Sequence, residues 1–65
     1  DTEHLRAALA ELPEDQKRAV VLAGFYGRTA REISEIEGAP LGTIKTRIRT
    51  AMIKLRSALE VSDER

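Results

Sequence analysis

Between Pro40 and Leu59 the chain carries five cations, Lys45, Arg47, Arg49, Lys54 and Arg56, and no acid. Hydroxyls at Thr43, Thr46, Thr50 and Ser57 interleave with them. Ammonium and guanidinium groups bind phosphate oxygens, an arginine can meet guanine N7 and O6 with two parallel bonds, and short hydroxyls reach base edges. A helix that turns about 100° per residue sorts these residues. With Leu41, Ile44, Ile48, Ala51, Leu55 and Leu59 gathered on one side, Thr46, Arg49, Thr50, Ile53 and Ser57 face the other. Lys45 and Arg56 fall on one border, and Arg47 and Lys54 on the opposite border. A rod with polar groups on its crest and cations along its edges suits the major groove of a duplex. A merely solvated face also carries charge, but it normally mixes signs, and here no acid appears until Glu60.

Other chemistry finds little support. His4 is the only histidine and there is no cysteine, so neither a thiolate metal site nor a disulfide framework is available. His4 reads as a surface residue. No glycine-rich phosphate loop and no nucleophile signature appears. The chain is therefore expected not to be an enzyme and to need no metal or cofactor.

The elements that must position the cationic rod are helical. Sixty-five residues make one small domain, residues 1–65, near the lower limit for a self-sufficient core. A start at Asp1 and a polar "VSDER" end suggest a piece of a longer protein. No apolar run approaches the roughly 20 residues needed to cross a bilayer, and no signal peptide is recognisable, so a soluble, cytoplasmic chain without membrane insertion is expected. Leu5, Ala8, Leu9 and Leu12 have the spacing of one apolar helical stripe. Pro13 ends that helix and suits the start of the next, where Glu14 and Asp15 complement the dipole. The second helix is nearly continuously apolar from Ala19 to Ala23 and should be the most buried. Thr29 and Glu32 fit a capping box at the start of a third helix. Gly38 is placed to take the left-handed conformation after it, and Pro40 to begin a fourth. Helices over residues 2–12, 14–26, 30–37 and 40–59 are expected, with no strand.

The formal net charge of zero hides a sorted distribution. Residues 1–39 hold five bases against eight acids, residues 40–59 five bases and no acid, and residues 60–65 one base and three acids. A polyanion approaching the fourth helix meets a concentrated positive field. The third and fourth helices have the outline of a helix-turn-helix. Ser34 is small where the helices cross, Gly38 serves the turn and Ile44 locks the second helix. In such a motif the N-terminal half of the second helix meets base edges. Lys45, Thr46 and Arg49 are the expected base contacts, with Thr50 beside them. Arg28, Thr29 and Arg31, at the start of the third helix, can hold a phosphate or simply cap the helix and face water. Ile53 is aliphatic on the side where water is expected; it is either a lone exposed residue or part of a protein contact surface.

"LPEDQKRAVVLAGFYGRTAREISEIEGAPLGTIKTRIRTAMIKLRSAL" resembles region 4, the C-terminal promoter-binding domain, of bacterial sigma factors of the extracytoplasmic-function group. The most specific parts are "LP" ahead of a helix, "REISEIEG", where the family has a Glu-Ile-Ala pattern, and "PLGTIKTRIRTAMIKLR", which is similar to its Gly-Thr-Val-Lys-Ser-Arg signature. The resemblance implies an all-α, four-helix domain of the winged-helix-like superfamily without a wing. It implies reading of the minus-35 element in the major groove, tethering to the β flap of RNA polymerase core, and cover by an anti-sigma factor. Family positions for DNA contact fall on Lys45, Thr46 and Arg49, with Arg28, Thr29, Arg31, Thr43 and Arg47 toward the backbone. Ser34 stands where alanine is commoner, and Thr50 where many members carry arginine.

Two other readings fit part of this pattern. The C-terminal domain of LuxR-like response regulators shares the length and a Gly-Thr-Val-Lys stretch, but follows it with Val-His where this chain has Thr46 and Arg47. A protein-interaction module without a DNA role fits the overall neutrality and the acidic first half.

Overall fold

The computed structural model describes residues 2–63. Among them are four helices and no strand: α1 (Thr2–Ala10), α2 (Glu14–Gly24), α3 (Ala30–Glu37) and α4 (Leu41–Asp63). α4 packs against each of the other three, most extensively against α2. No helix among the described residues is long and apolar enough to cross a membrane.

Two apolar clusters hold the helices together, and α4 contributes to both. Ala8, Leu12, Val20, Ala51 and Leu55 join α1 and its exit turn to α2 and the distal half of α4. Ala19, Ile33 and Ile44 join α2, α3 and the proximal half of α4, with Leu22, Ala23, Ala30, Ala39 and Ile48 packed around them. The seam expected on α4 is the inward one: Ile44, Ala51 and Leu55 are buried, and Leu41, Ile48 and Leu59 half-buried. On α2, Ala19 and Val20 are buried, whereas Val21, Leu22 and Ala23 are only half-buried. The continuous apolar run thus wraps past the core on both sides.

Helix ends differ from the expected ranges for local reasons. α1 stops at Ala10, because the amides of Glu11 and Leu12 turn to Ala8 O and Leu9 O in a tighter i→i+3 pattern. α2 stops at Gly24, because the amides of Phe25 and Tyr26 both close on Val21 O and Gly27 then takes φ 66°. Pro13 and Pro40 sit just ahead of their helices, lending their carbonyls to the amides of Lys17 and Ile44. α4 runs on to Asp63 rather than ending at Leu59. Nothing between them is a glycine or proline that would stop it.

His4 is not a bare surface residue: its ring is half-buried, with Nε2 3.3 Å from Ala58 O, tying α1 to the distal part of α4.

Candidate nucleic-acid interface

The turn between α3 and α4 is fixed by three hydrogen bonds. Gly38 adopts φ 66° and ψ 36°, a left-handed conformation that a side chain would strain, and its amide closes on Ser34 O. The amide of Ala39 reaches the same oxygen at 3.1 Å. The hydroxyl of Ser34 donates forward to Ala39 O. Ser34 therefore does more than stay small at a crossing, because its side chain satisfies a carbonyl in the turn that the commoner alanine leaves to other partners. Behind the turn, Ile33 and Ile44 are completely buried against Ala19.

The capping box at the head of α3 is fully formed. Glu32 N donates to Thr29 Oγ1 at 3.1 Å, and Thr29 N donates to Glu32 Oε1 at 2.9 Å. Arg28, Thr29 and Arg31 are all exposed there. The box also sets a carboxylate at this helix end, so a phosphate arriving between Arg28 and Arg31 meets a negative group as well as two cations. Thr29→Ala is expected to cost roughly 0.5–2 kcal/mol of stability. A thermal melt that does not move would show that the cap contributes nothing.

On α4, Lys45, Thr46 and Arg49 are exposed and line one concavity of about 250 Å³ together with Gly42. Neither Lys45 nor Arg49 takes part in an ion pair among the described residues, and neither do Arg28 and Arg31. Thr43 is exposed at the helix start, while Thr50 is half-buried and so presents less of its hydroxyl than its neighbours. Arg49 also stands at one end of a second groove of about 350 Å³, which continues along Met52, Ile53, Arg56, Ser57 and Glu60. Ile53 is 62% exposed and Met52 51%, so Ile53 is not isolated but is one of two large apolar side chains on that stretch.

Arg47 is placed differently from the other cations of α4. Its side chain is only 25% exposed, and Nε lies 3.4 Å from Asp15 Oδ2 on α2. A second pair, Arg18 Nε to Glu37 Oε1 at 3.0 Å, joins α2 to the last residue of α3. Sequence reasoning found neither pair. Each links residues far apart in sequence, where no spacing rule operates, and its only visible trace is a charge of opposite sign on each partner. Equally unforeseen is a shallow apolar groove between α2 and α3, lined by Val21, Leu22 and Ile36 with Lys17, Arg18 and Glu37 at its edges.

Comparison with known proteins agrees with this geometry. The sequence profile of the family described as "Sigma-70, region 4" matches residues 2–55. Among curated proteins, the chain is similar to the ECF RNA polymerase sigma factor EcfG of Rhodopseudomonas palustris, with 42% identity over 59 residues, covering 91% of this chain and 33% of the relative. The ECF RNA polymerase sigma factor RpoE of Cereibacter sphaeroides is 48% identical over 52 residues, covering 80% of this chain and 29% of its own length. The ECF RNA polymerase sigma factor SigK of Mycobacterium tuberculosis is 41% identical over 54 residues, covering 83% of this chain and 29% of its own. The chain thus spans about a third of the length of the curated relatives it matches. The LuxR-like alternative gives way to this match, which runs through α1, α2, α3 and most of α4. By its sequence from Thr2 to Leu55, and with a helix-turn-helix built around Gly38 at its centre, the chain belongs to the sigma-70 region 4 family.

Proposed function

We propose that the chain binds promoter DNA at the minus-35 element, laying the N-terminal half of α4 in the major groove as part of an RNA polymerase sigma factor that supports transcription initiation. The supporting observation is the row Lys45, Thr46 and Arg49, exposed, unpaired among the described residues, and carried on a helix whose opposite side is buried. Arg49 and Lys45 address base edges, with Thr46 beside them and Thr50 a lesser contributor. Thr43, Arg28, Thr29 and Arg31 face the phosphates on either side. The names of the relatives add RNA polymerase as a partner, and the group's habit of pairing with anti-sigma factors makes the Met52 and Ile53 stretch a surface such a protein would cover. Work alongside polymerase assigns the chain to the cytoplasm. So few phosphate contacts leave the isolated domain with weak affinity, and selectivity then depends on polymerase holding it beside a second DNA-binding domain.

Selection of bound duplexes from a random pool by the chain held on its polymerase, followed by a salt titration on the winning sequence, tests the reading. A shared sequence should emerge, and the affinity should fall with salt at roughly 0.9 log units per log unit of salt for each phosphate neutralised. Failure to enrich any sequence, or a flat salt response at measurable affinity, favours the protein-interaction module instead.

A further inference from the structure

Asp15 and Arg18 stand three residues apart on α2 and therefore share one face of that helix. From that face they grip both arms of the helix-turn-helix with opposite polarity. Arg18 donates to Glu37, immediately before Gly38, and the Glu37 side chain is only 9% exposed. Asp15 faces Arg47, on the second turn of α4. The remaining charges at this end of α2 are accounted for: Glu14 lies 3.7 Å from both Lys17 and Arg18, and Asp15 Oδ1 accepts from the amide of Gln16 at 2.7 Å.

The buried seam Ile44, Ala51 and Leu55 fixes which face of α4 turns inward, but burial is non-directional and leaves the finer rotation of that helix to polar contacts. The Arg18–Glu37 hydrogen bond at 3.0 Å is directional, and the Arg47–Asp15 ion pair at 3.4 Å restrains the distance between α4 and α2. Rotating α4 so as to break Arg47 from Asp15 would carry Lys45, Thr46 and Arg49 around the axis with it. Releasing Arg47 to a phosphate would also leave the Asp15 carboxylate without its cation.

We propose that Asp15 and Arg18 are positioning residues for the DNA contact, setting the attitude of α4 through Arg47 and Glu37, and that Arg47 serves this brace rather than acting as a backbone contact. The proposal rests on the promoter-binding reading, and the experiment separates the two. In the free protein, D15N should shift the Arg47 Nε–H resonance, reporting loss of the ion pair; an unmoved resonance overturns the brace. With the duplex selected above, D15N and R47Q should each weaken binding by about 3- to 10-fold, while binding to random duplex and the salt slope stay unchanged. The double variant D15N/R47Q should be no worse than either single one, and D15E should retain wild-type binding. Melting curves confirm that each variant is folded at the assay temperature. Unchanged or tighter binding by D15N overturns the brace. So does an R47Q variant that loses affinity for all duplexes alike with a salt slope lower by roughly one phosphate's share, because Arg47 is then a backbone contact. A wild-type chain that selects no duplex even while held on its polymerase overturns the promoter reading itself, a result distinct from either of these.

Discussion

Ile44→Ala is expected to lower the melting temperature of the chain by roughly 10–30 °C, enough to leave a large unfolded fraction at growth temperature. Ile44 is completely buried and is one of the two largest side chains that are, the other being Ile33. Truncating such a residue costs about 2–5 kcal/mol, the transfer of the lost carbons plus the cavity left behind. A domain of this length has a total stability of roughly 3–10 kcal/mol, so one methyl-rich side chain holds a large share of it. The gap is not simply refilled: Ala19 offers only a methyl group and Ile33 is itself held by the capped α3, which leaves Leu22 and Ile48 at the cluster's edge as the side chains able to relax. Ile53→Ala, made on the same helix at a residue 62% exposed, should change stability by no more than about 0.5 kcal/mol. Calorimetric scans of the two variants against wild type make the comparison. Equal shifts would mean that the inward and outward faces of α4 have been assigned wrongly.

The same contrast explains what could be read from the sequence. Apolar spacing at three and four residues located the inner seam of α4, since that seam is a property of one helix and needs no knowledge of its partners. Thr29 with Glu32 and Gly38 were legible for a related reason, as caps are local chemistry between residues a few positions apart. Boundaries were less legible. The tightened turn after Ala10 and the wider one after Gly24 depend on which carbonyl an amide finds once the chain changes direction. Hidden altogether were the bonds between helices. Nothing in the order of residues says that Arg47 will turn toward Asp15 while Arg49, two positions later, stays exposed and without an ion pair among the described residues. A helical wheel placed Arg47 on a border of the cationic face, and borders are where neighbouring helices decide between solvent, phosphate and a carboxylate. The hydroxyl of Ser34 is a similar case: its size was legible, its bond to Ala39 O was not.

Arg49→Ala is expected to lower affinity for the selected duplex by roughly 5- to 150-fold, equivalent to about 1–3 kcal/mol, and to relax the preference at a single base pair. The effect is large because the neighbours cannot substitute. Thr50 is half-buried, Arg47 is held by Asp15, and Lys45, although it lines the same concavity, offers a point charge rather than a planar fork. Arg49→Lys separates the two contributions of the guanidinium, since it keeps the charge and loses the paired bonds. It should bind random duplex nearly as well as wild type while losing most of the preference. Arg31→Ala gives the opposite pattern, a uniform loss on every sequence and a salt slope lower by roughly 0.9, because a phosphate contact carries no base information. These variants are best compared by titrating each against the selected duplex, its single-base-pair substitutions and a random duplex at several salt concentrations. If Arg49→Ala and Arg31→Ala lose affinity equally on all of them, Arg49 touches only the backbone, and base reading must then fall to Lys45 and Thr46.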